Sequence, residues 1–151
     1  MTSRFRKLSH SLYECKYHVV FCPKYRYRIF KDAIGEYVKQ QVYQLCKRKE
    51  QVVVLKLNVQ PDHVHLVVEI PPKYAVSEFM GYLKGKLAIR LFQQYESLSR
   101  RYWGRHLWAR GYCISTMDWM RRKSESMSNG RRSRKSKSRQ CKENCLIENV
   151  Q

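Results

Sequence analysis

Acidic residues are scarce in this chain. It contains 12 Asp and Glu against 31 Lys and Arg, which gives a formal net charge of +19 at pH 7. The excess is not confined to one segment, because residues 1–116 carry 21 basic and 8 acidic side chains, and residues 117–151 carry 10 and 4. Soluble domains usually keep a much smaller net charge. The balance indicates a polyanionic partner, most simply nucleic acid, rather than a surface kept basic for solubility alone.

Long apolar runs and closely spaced cysteines are also missing. No run approaches the length of a membrane span and the N-terminus has no apolar signal region, so we expect no membrane partner. No two of the six cysteines have the two-residue spacing of a zinc knuckle or a redox motif. Cys141 and Cys145 lie four residues apart, which is a weak metal signal. We therefore expect a cytoplasmic protein with free thiols.

Proline is rare as well, and its few positions separate well-patterned segments. Aromatic and β-branched residues predict strands at 13–22, 51–60, 63–70 and 107–116, and apolar residues at helical spacing predict helices at 32–50 and 77–95. Asp32 and Ser77 are the expected N-caps. The order β-α-β-β-α-β predicts an α+β, ferredoxin-like fold, with an antiparallel sheet and helices on one face.

The pattern stops at Thr116. We therefore assign residues 1–116 to one domain and residues 117–151 to a basic tail that is disordered or irregular.

The segment PDHVHLVV carries the most chemistry. Alternate residues of a strand share a face, so His63 and His65 should point one way while Val64, Leu66 and Val68 point into a core. Two imidazoles at this spacing can bind one divalent ion, which could then polarise a phosphodiester. By spacing alone, two solvated histidines are the more common outcome.

Two further groups of basic residues are candidate DNA contacts. In PKYRYRIF, cations alternate with rings, so an extended chain would place phosphate-binding cations on one face and base-stacking rings on the other. An ordinary amphipathic strand edge explains the same pattern. On the second helix, cations lie mostly off the apolar stripe, where they could equally form a solvated face. The six candidates are Lys24, Arg26, Arg28, Lys84, Lys86 and Arg90.

Several of these segments together resemble a known family. His63-Val64-His65 matches the His-hydrophobic-His (HUH) motif of the single-tyrosine transposases of the insertion sequence 200/605 family. The stretches CKYHVVFCPKYR, DHVHLVVEIPPK, FMGYLKGK and LWARGYCIST each resemble family segments in the same order. The resemblance covers roughly residues 13–116.

The resemblance implies a small homodimeric enzyme that recognises hairpins in single-stranded DNA at the ends of a mobile element. In the family, a tyrosine on a helix after the fourth strand attacks the scissile phosphate and forms a 5′-phosphotyrosine bond. Two histidines, here His63 and His65, and a Gln four residues after the Tyr hold Mg²⁺ or Mn²⁺. The phenolate is the nucleophile, and the ion stabilises charge on the phosphoryl oxygens.

This chain lacks the expected tyrosine and glutamine. No Tyr follows Tyr112, which lies in a strand-like segment, and the only later glutamines are Gln140 and Gln151, neither in a matching setting. We expect strand cleavage to be impaired. With permitted codons for residues 118–131, a shifted reading frame can encode LDEEKIRKYVKWQ, a hypothetical peptide with a Tyr and, four residues later, a Gln. We interpret the basic tail as the product of a frameshift.

Other interpretations stay open. The tail could be a basic arm that strengthens DNA binding through phosphate contacts. The whole chain could be a DNA-binding module without catalysis, either a decayed copy or a repressor of active relatives. A general RNA-binding protein is a third reading, against which the family motifs argue.

Overall fold

A computed structural model describes residues 5–116 of the chain. The predicted basic tail at 117–151, its glutamines and Cys141 and Cys145 lie outside the described residues, as do the first four residues of the predicted domain. The interpretation of the tail therefore stays a prediction.

Six strands and three α-helices make up the described part. A small antiparallel hairpin is formed by β1 (Arg6–Leu8) and β2 (Ser11–Tyr13). The main sheet consists of β3 (Lys16–Phe21), β4 (Val53–Gln60), β5 (His63–Glu69) and β6 (Cys113–Thr116). The helices are α1 (Asp32–Lys47), α2 (Val76–Gln94) and the short α3 (Glu96–Arg101).

The main sheet has the strand order β4-β5-β3-β6, and all three pairings are antiparallel. If the four strands are numbered in chain order, their order across the sheet is second, third, first and fourth. The connection through α1 joins β3 to β4, with β5 between them, and the connection through α2 joins β5 to β6, with β3 between them. This is the ferredoxin-like α+β arrangement that the segment order predicts. Strand β5 thus lies inside the sheet, with β4 and β3 on its two sides.

One face of the sheet packs against the helices. Val64, Leu66 and Val68 of β5 are fully buried, as the alternation predicts. They belong to one core with the apolar stripes of α1 and α2, which include Val38, Val42, Leu83 and Leu87. This packing fixes β5 in the sheet. Its other residues, including both histidines, must consequently point away from the helices.

Near the hairpin, the other face of the sheet is covered. Glu69 at the end of β5 is buried, and its carboxylate pairs with Arg6 of β1, with Nε and Oε2 3.0 Å apart. The hairpin therefore lies over the C-terminal end of β5. The histidines at the opposite end of β5 remain only partly buried.

The predicted strand at 13–22 is two strands, β2 and β3, and both predicted helices end earlier than expected. The predicted caps are wrong, because Lys31 and Ala75 occupy the N-cap positions and neither makes a side-chain cap bond. Asp32 is instead the first helical residue and has a positive φ of 47°.

The predicted strand at 107–116 is also interrupted. Trp108 forms an isolated bridge with Pro23, and regular pairing begins only at Cys113. Between them, the Lys84 ammonium donates to the carbonyl oxygens of Ala109 and Gly111, at 2.9 and 2.7 Å. These bonds, with a φ of 72° at Gly111, hold the segment in a turn rather than in the sheet.

The extended alternation predicted for PKYRYRIF is wrong. Lys24–Arg26 form a 3₁₀ turn in which Tyr25 and Arg26 have φ values of 62° and 48°. The Arg26 amide donates to the Pro23 carbonyl, and the Arg26 guanidinium pairs with Asp62. These two contacts close the turn, so rings and cations do not fall on opposite faces of a strand.

The thiol prediction is correct only in part. Cys15, Cys22 and Cys46 are free thiols, whereas Cys113 is disulfide-bonded. Burial raises the pKa of Cys46 to about 12, so this thiol stays protonated. Within residues 5–116, no helix is both long and apolar enough to cross a membrane.

Candidate metal and DNA site

Three imidazoles lie together on the face of the sheet that points away from the helices. His63 and His65 come from β5, and His18 comes from the neighbouring strand β3. The register pairs Val20 with His65 and His18 with Val67, so His18 and His65 are diagonal neighbours across the two strands. The sequence motif contained only the two β5 histidines. The third is brought to them by strand pairing.

His63 and His65 meet through their outer ring nitrogens. The two Nε2 atoms are 2.9 Å apart, and the rings are nearly perpendicular at 76°. Two nitrogens bound to one ion at about 2.1 Å and at right angles to each other would be separated by roughly 3 Å. The observed spacing therefore fits two adjacent ligands of one divalent ion.

Nδ1 of His63, on the ring edge away from His65, contacts a carboxylate. This nitrogen lies 2.5 Å from Asp62 Oδ1, while Asp62 Oδ2 accepts a bond from Arg26 at 2.9 Å. Burial favours a higher pKa for Asp62, but the hydrogen bond and charge interaction with His63, and the charge of Arg26, hold it below its usual value. Asp62 is thus an anion that fixes Nδ1 of His63 as the donor and directs its Nε2 toward His65.

Nδ1 of His65 faces the ring of His18. His18 Nε2 lies 3.2 Å from His65 Nδ1, and the two ring planes differ by 6°. Burial lowers the pKa of His18 below its usual value, so its ring is neutral near pH 7. The sequence analysis did not single out His18 as a candidate site residue. The available signal was a histidine within KYHVVF, a segment in which aromatic and β-branched residues predominate.

The described residues offer two imidazoles but not a complete ligand set. No group of three or more His, Cys, Asp or Glu side chains placed to hold a metal ion occurs among residues 5–116. Cross-strand from the pair lie Asn58 and Gln60, which are hydrogen-bonded to each other at 3.1 Å. Two nitrogen ligands suit Mn²⁺ better than Mg²⁺, which prefers oxygen ligands.

Tyr102 and Tyr112 lie near the end of the described part of the chain. Burial raises the pKa of Tyr102 to about 12, so its hydroxyl stays protonated at neutral pH. Tyr112 is partly buried against the core, with the Lys84 ammonium 6.0 Å from its ring centre. Tyr112 lies immediately before β6, outside the strand to which the sequence pattern assigned it.

The six predicted DNA contacts fall into two groups. Arg28 and Lys86 are exposed, and Lys24 is partly exposed with its ammonium 5.1 Å from the centre of the Tyr25 ring. The other three have partners within the protein: Arg26 binds Asp62, Lys84 binds the Ala109 and Gly111 carbonyls, and Arg90 bonds to Gln41. The intramolecular bonds give these three a structural role.

Replacing Lys84 and Lys86 by Met should separate the structural role from DNA contact. We expect Lys84→Met to lower the free energy of unfolding by about 1–3 kcal/mol, because two carbonyls lose a charged donor. Lys86→Met should leave stability unchanged within about 0.5 kcal/mol. If Lys86 contacts a phosphate, Lys86→Met should also reduce the slope of log K against log salt by about one.

Urea unfolding and DNA titration at several salt concentrations measure both quantities. Equal stabilities of the two variants would show that the Lys84 bonds contribute nothing. An unchanged salt slope for Lys86→Met would remove Lys86 from the DNA interface.

Two proteins of known structure, both described as transposases, share this fold. The structure of a protein from Deinococcus radiodurans R1 assigned as a transposase is similar, with a TM-score of 0.70 and 27% identity over 81% of this chain and 93% of that one. A REP-associated tyrosine transposase bound to a REP hairpin shares the fold, at a TM-score of 0.50 and 10% identity, over 80% of this chain and 67% of that one.

Two curated relatives are more similar to this chain in sequence than these structures are. The transposase for insertion sequence element IS200 of Salmonella typhimurium is 42% identical over 112 residues, which cover 74% of this chain and 73% of the relative. The ISDra2 transposase TnpA of Deinococcus radiodurans is 33% identical over 106 residues, covering 70% and 75%. The profile of the family described as "Transposase IS200 like" matches residues 11–127. The chain belongs to the IS200-like transposase family.

Proposed function

We propose that this protein binds hairpin-bearing single-stranded DNA at the ends of a mobile element through a divalent-ion site at His63 and His65. The convergence of the two Nε2 atoms, 2.9 Å apart on the face of the sheet away from the helices, carries the proposal. Family membership and the charge of +13 in residues 1–116 support it. The structural relative that is bound to a REP hairpin is consistent with a hairpin ligand.

The ion would be Mg²⁺ or Mn²⁺, of which the two nitrogens favour Mn²⁺. When bound, it would withdraw charge from the oxygens of a phosphodiester. His63 and His65 would hold it, and Asp62 would keep His63 oriented.

A surface beside the turn at Lys24–Arg26 fits unpaired bases. The exposed rings of Tyr25 and Tyr27 have centroids 5.5 Å apart, and the Arg101 guanidinium carbon lies 4.6 Å from the centre of the Tyr27 ring. Trp103, two residues after Arg101, is 94% exposed. Aromatic rings beside cations bind single strands through stacking and charge. Both Arg101 and Trp103 were absent from the contacts predicted from sequence.

We further propose that the protein is a homodimer. The outer strands of the described sheet, β4 and β6, each expose an apolar side chain, with Leu55 at 45% and Ile114 at 38%. Exposed edges with apolar side chains favour pairing with a second chain. Light scattering on the purified protein measures the mass, and a monomeric mass at working concentrations would contradict the proposal.

Strand cleavage by this chain is, in our proposal, impaired, because the sequence after Tyr112 contains no tyrosine. The alternative function is that of a DNA-binding module without catalysis, either a decayed copy or a repressor of intact relatives. The lack of a tyrosine in the sequence after Tyr112 favours this alternative over an unaltered transposase.

A binding experiment with hairpins from the gene's own flanks tests the proposed function. We expect the DNA hairpin to bind at least about tenfold more tightly than an unstructured strand of equal length and composition, measured at one fixed salt concentration. An RNA hairpin of the same sequence serves as the second control. Equal affinity for all three would indicate binding by charge alone, and a preference for RNA would favour the RNA-binding alternative.

A further inference from the structure

We propose that His18 is a positioning residue for His65: it accepts a hydrogen bond from Nδ1 of His65 and thereby fixes the tautomer in which Nε2 faces His63 as an acceptor. The inference rests on the metal site proposed above and adds a residue to it. It concerns which ring nitrogen of His65 carries the proton. His18 itself would not touch the ion.

The contact between His18 and His65 is made by ring edges, not ring faces. The ring centroids are 5.4 Å apart, whereas His18 Nε2 and His65 Nδ1 are only 3.2 Å apart, so the two nitrogens lie between the ring centres and face each other. The ring planes are nearly parallel, at 6°. Two nitrogens at this distance between near-parallel rings form an N–H···N hydrogen bond, in which one ring donates and the other accepts.

The direction of that bond decides whether His65 can hold an ion. If His65 Nδ1 donates, its Nε2 carries a lone pair directed at the space shared with His63. If His18 Nε2 donates instead, a neutral His65 must carry its proton on Nε2, where it blocks an ion. Nε2 of His63 lies 2.9 Å from Nε2 of His65. The first arrangement is the one that a metal site requires.

The same arrangement occurs at both ligands. Asp62 contacts Nδ1 of His63, and His18 contacts Nδ1 of His65. The two Nε2 atoms therefore face each other from rings that are each oriented by a partner on Nδ1. Metal-bound histidines almost always have such a partner on the second nitrogen. This geometry also argues against His18 as a third ligand, because its Nε2 faces the edge of His65 that carries Nδ1.

The backbone holds His18 firmly in this place. Its neighbour Val19 is fully buried in the core, and β3 pairs with both β5 and β6 through the register His18↔Val67 and His18↔Ser115. A strand that is paired on both sides and anchored by a buried neighbour cannot shift its histidine without breaking the sheet.

Two substitutions separate a hydrogen-bond acceptor from a space-filling ring. His18→Phe keeps a ring of similar size but removes the nitrogen, whereas His18→Gln keeps an oxygen that can accept from Nδ1 of His65. We expect His18→Phe to weaken Mn²⁺ binding about 10–100-fold in calorimetry. His18→Gln should bind Mn²⁺ within about threefold of the parent. The exposed His106, changed to Phe, is the matched control and should leave the affinity unchanged.

Nitrogen-15 NMR of the metal-free protein gives a second readout, because it identifies which nitrogen of His65 carries the proton. We expect Nδ1–H in the parent and in His18→Gln, and a shift toward Nε2–H in His18→Phe. An unchanged tautomer in His18→Phe would overturn the proposal, as would an equal loss of Mn²⁺ affinity in both variants. If the parent binds no Mn²⁺, the proposed metal site fails, and the tautomer still decides the role of His18.

Discussion

Incubated with Mn²⁺ and labelled single-stranded DNA from its gene's flanks, this protein is expected to form no covalent adduct. The physical reason is that no Tyr follows Tyr112, so the sequence after the fourth strand supplies no phenolate to attack the phosphate. A version in which a one-base change restores the LDEEKIRKYVKWQ segment should form the adduct. The measurement is a denaturing gel, on which only a covalent complex keeps the label with the protein.

The matched control for this experiment is the repaired protein with its new Tyr changed to Phe, which should lose the adduct again. A labelled band from the unrepaired chain would contradict the prediction. It would show that a tyrosine within the present sequence attacks DNA. Substituting Tyr112, the partly exposed tyrosine nearest to β6, would then be the first step in finding it.

Changing both β5 histidines should abolish metal binding. We expect His63→Ala and His65→Ala each to weaken Mn²⁺ binding by about 100-fold or more, because each removes one of two converging nitrogens that the described part provides. Stability should change little, since both side chains are only partly buried on the face away from the helices. Calorimetry of the metal-free protein with Mn²⁺ measures the affinity, and thermal unfolding measures the stability.

The exposed His10, in the turn between β1 and β2, provides the control, and His10→Ala should bind Mn²⁺ like the parent. Retention of full affinity in the double variant His63→Ala/His65→Ala would refute the metal site. Loss of affinity in His10→Ala as well would indicate that Mn²⁺ binds histidines nonspecifically.

Periodicity made the overall fold predictable. Val64, Leu66 and Val68 alternate with His63 and His65, and burial of the apolar set in a helix-covered core fixes the face on which the histidines lie. The order of strands and helices likewise restricts the sheet to very few topologies. These features depend on residues near one another in the chain.

Element boundaries and turn conformations could not be read in the same way. The segment at Lys24–Arg26 alternates as a strand would, but an ion pair between Arg26 and the distant Asp62 closes it into a turn. Lys84 has the sequence context of a surface cation, yet it binds two carbonyls that lie 25 and 27 residues further along the chain. Such contacts between distant segments override local preference.

The amino-acid pattern alone predicted the basic charge, the β-α-β-β-α-β order, the shared face of His63 and His65, and the lack of a tyrosine after Tyr112. These properties follow from composition and short-range pattern. The contacts made in the fold were needed to show that His18 contacts Nδ1 of His65 and that three of the predicted DNA contacts have partners within the protein. The reason is physical: strand pairing and side-chain hydrogen bonds join residues that are 25 to 49 positions apart in the chain.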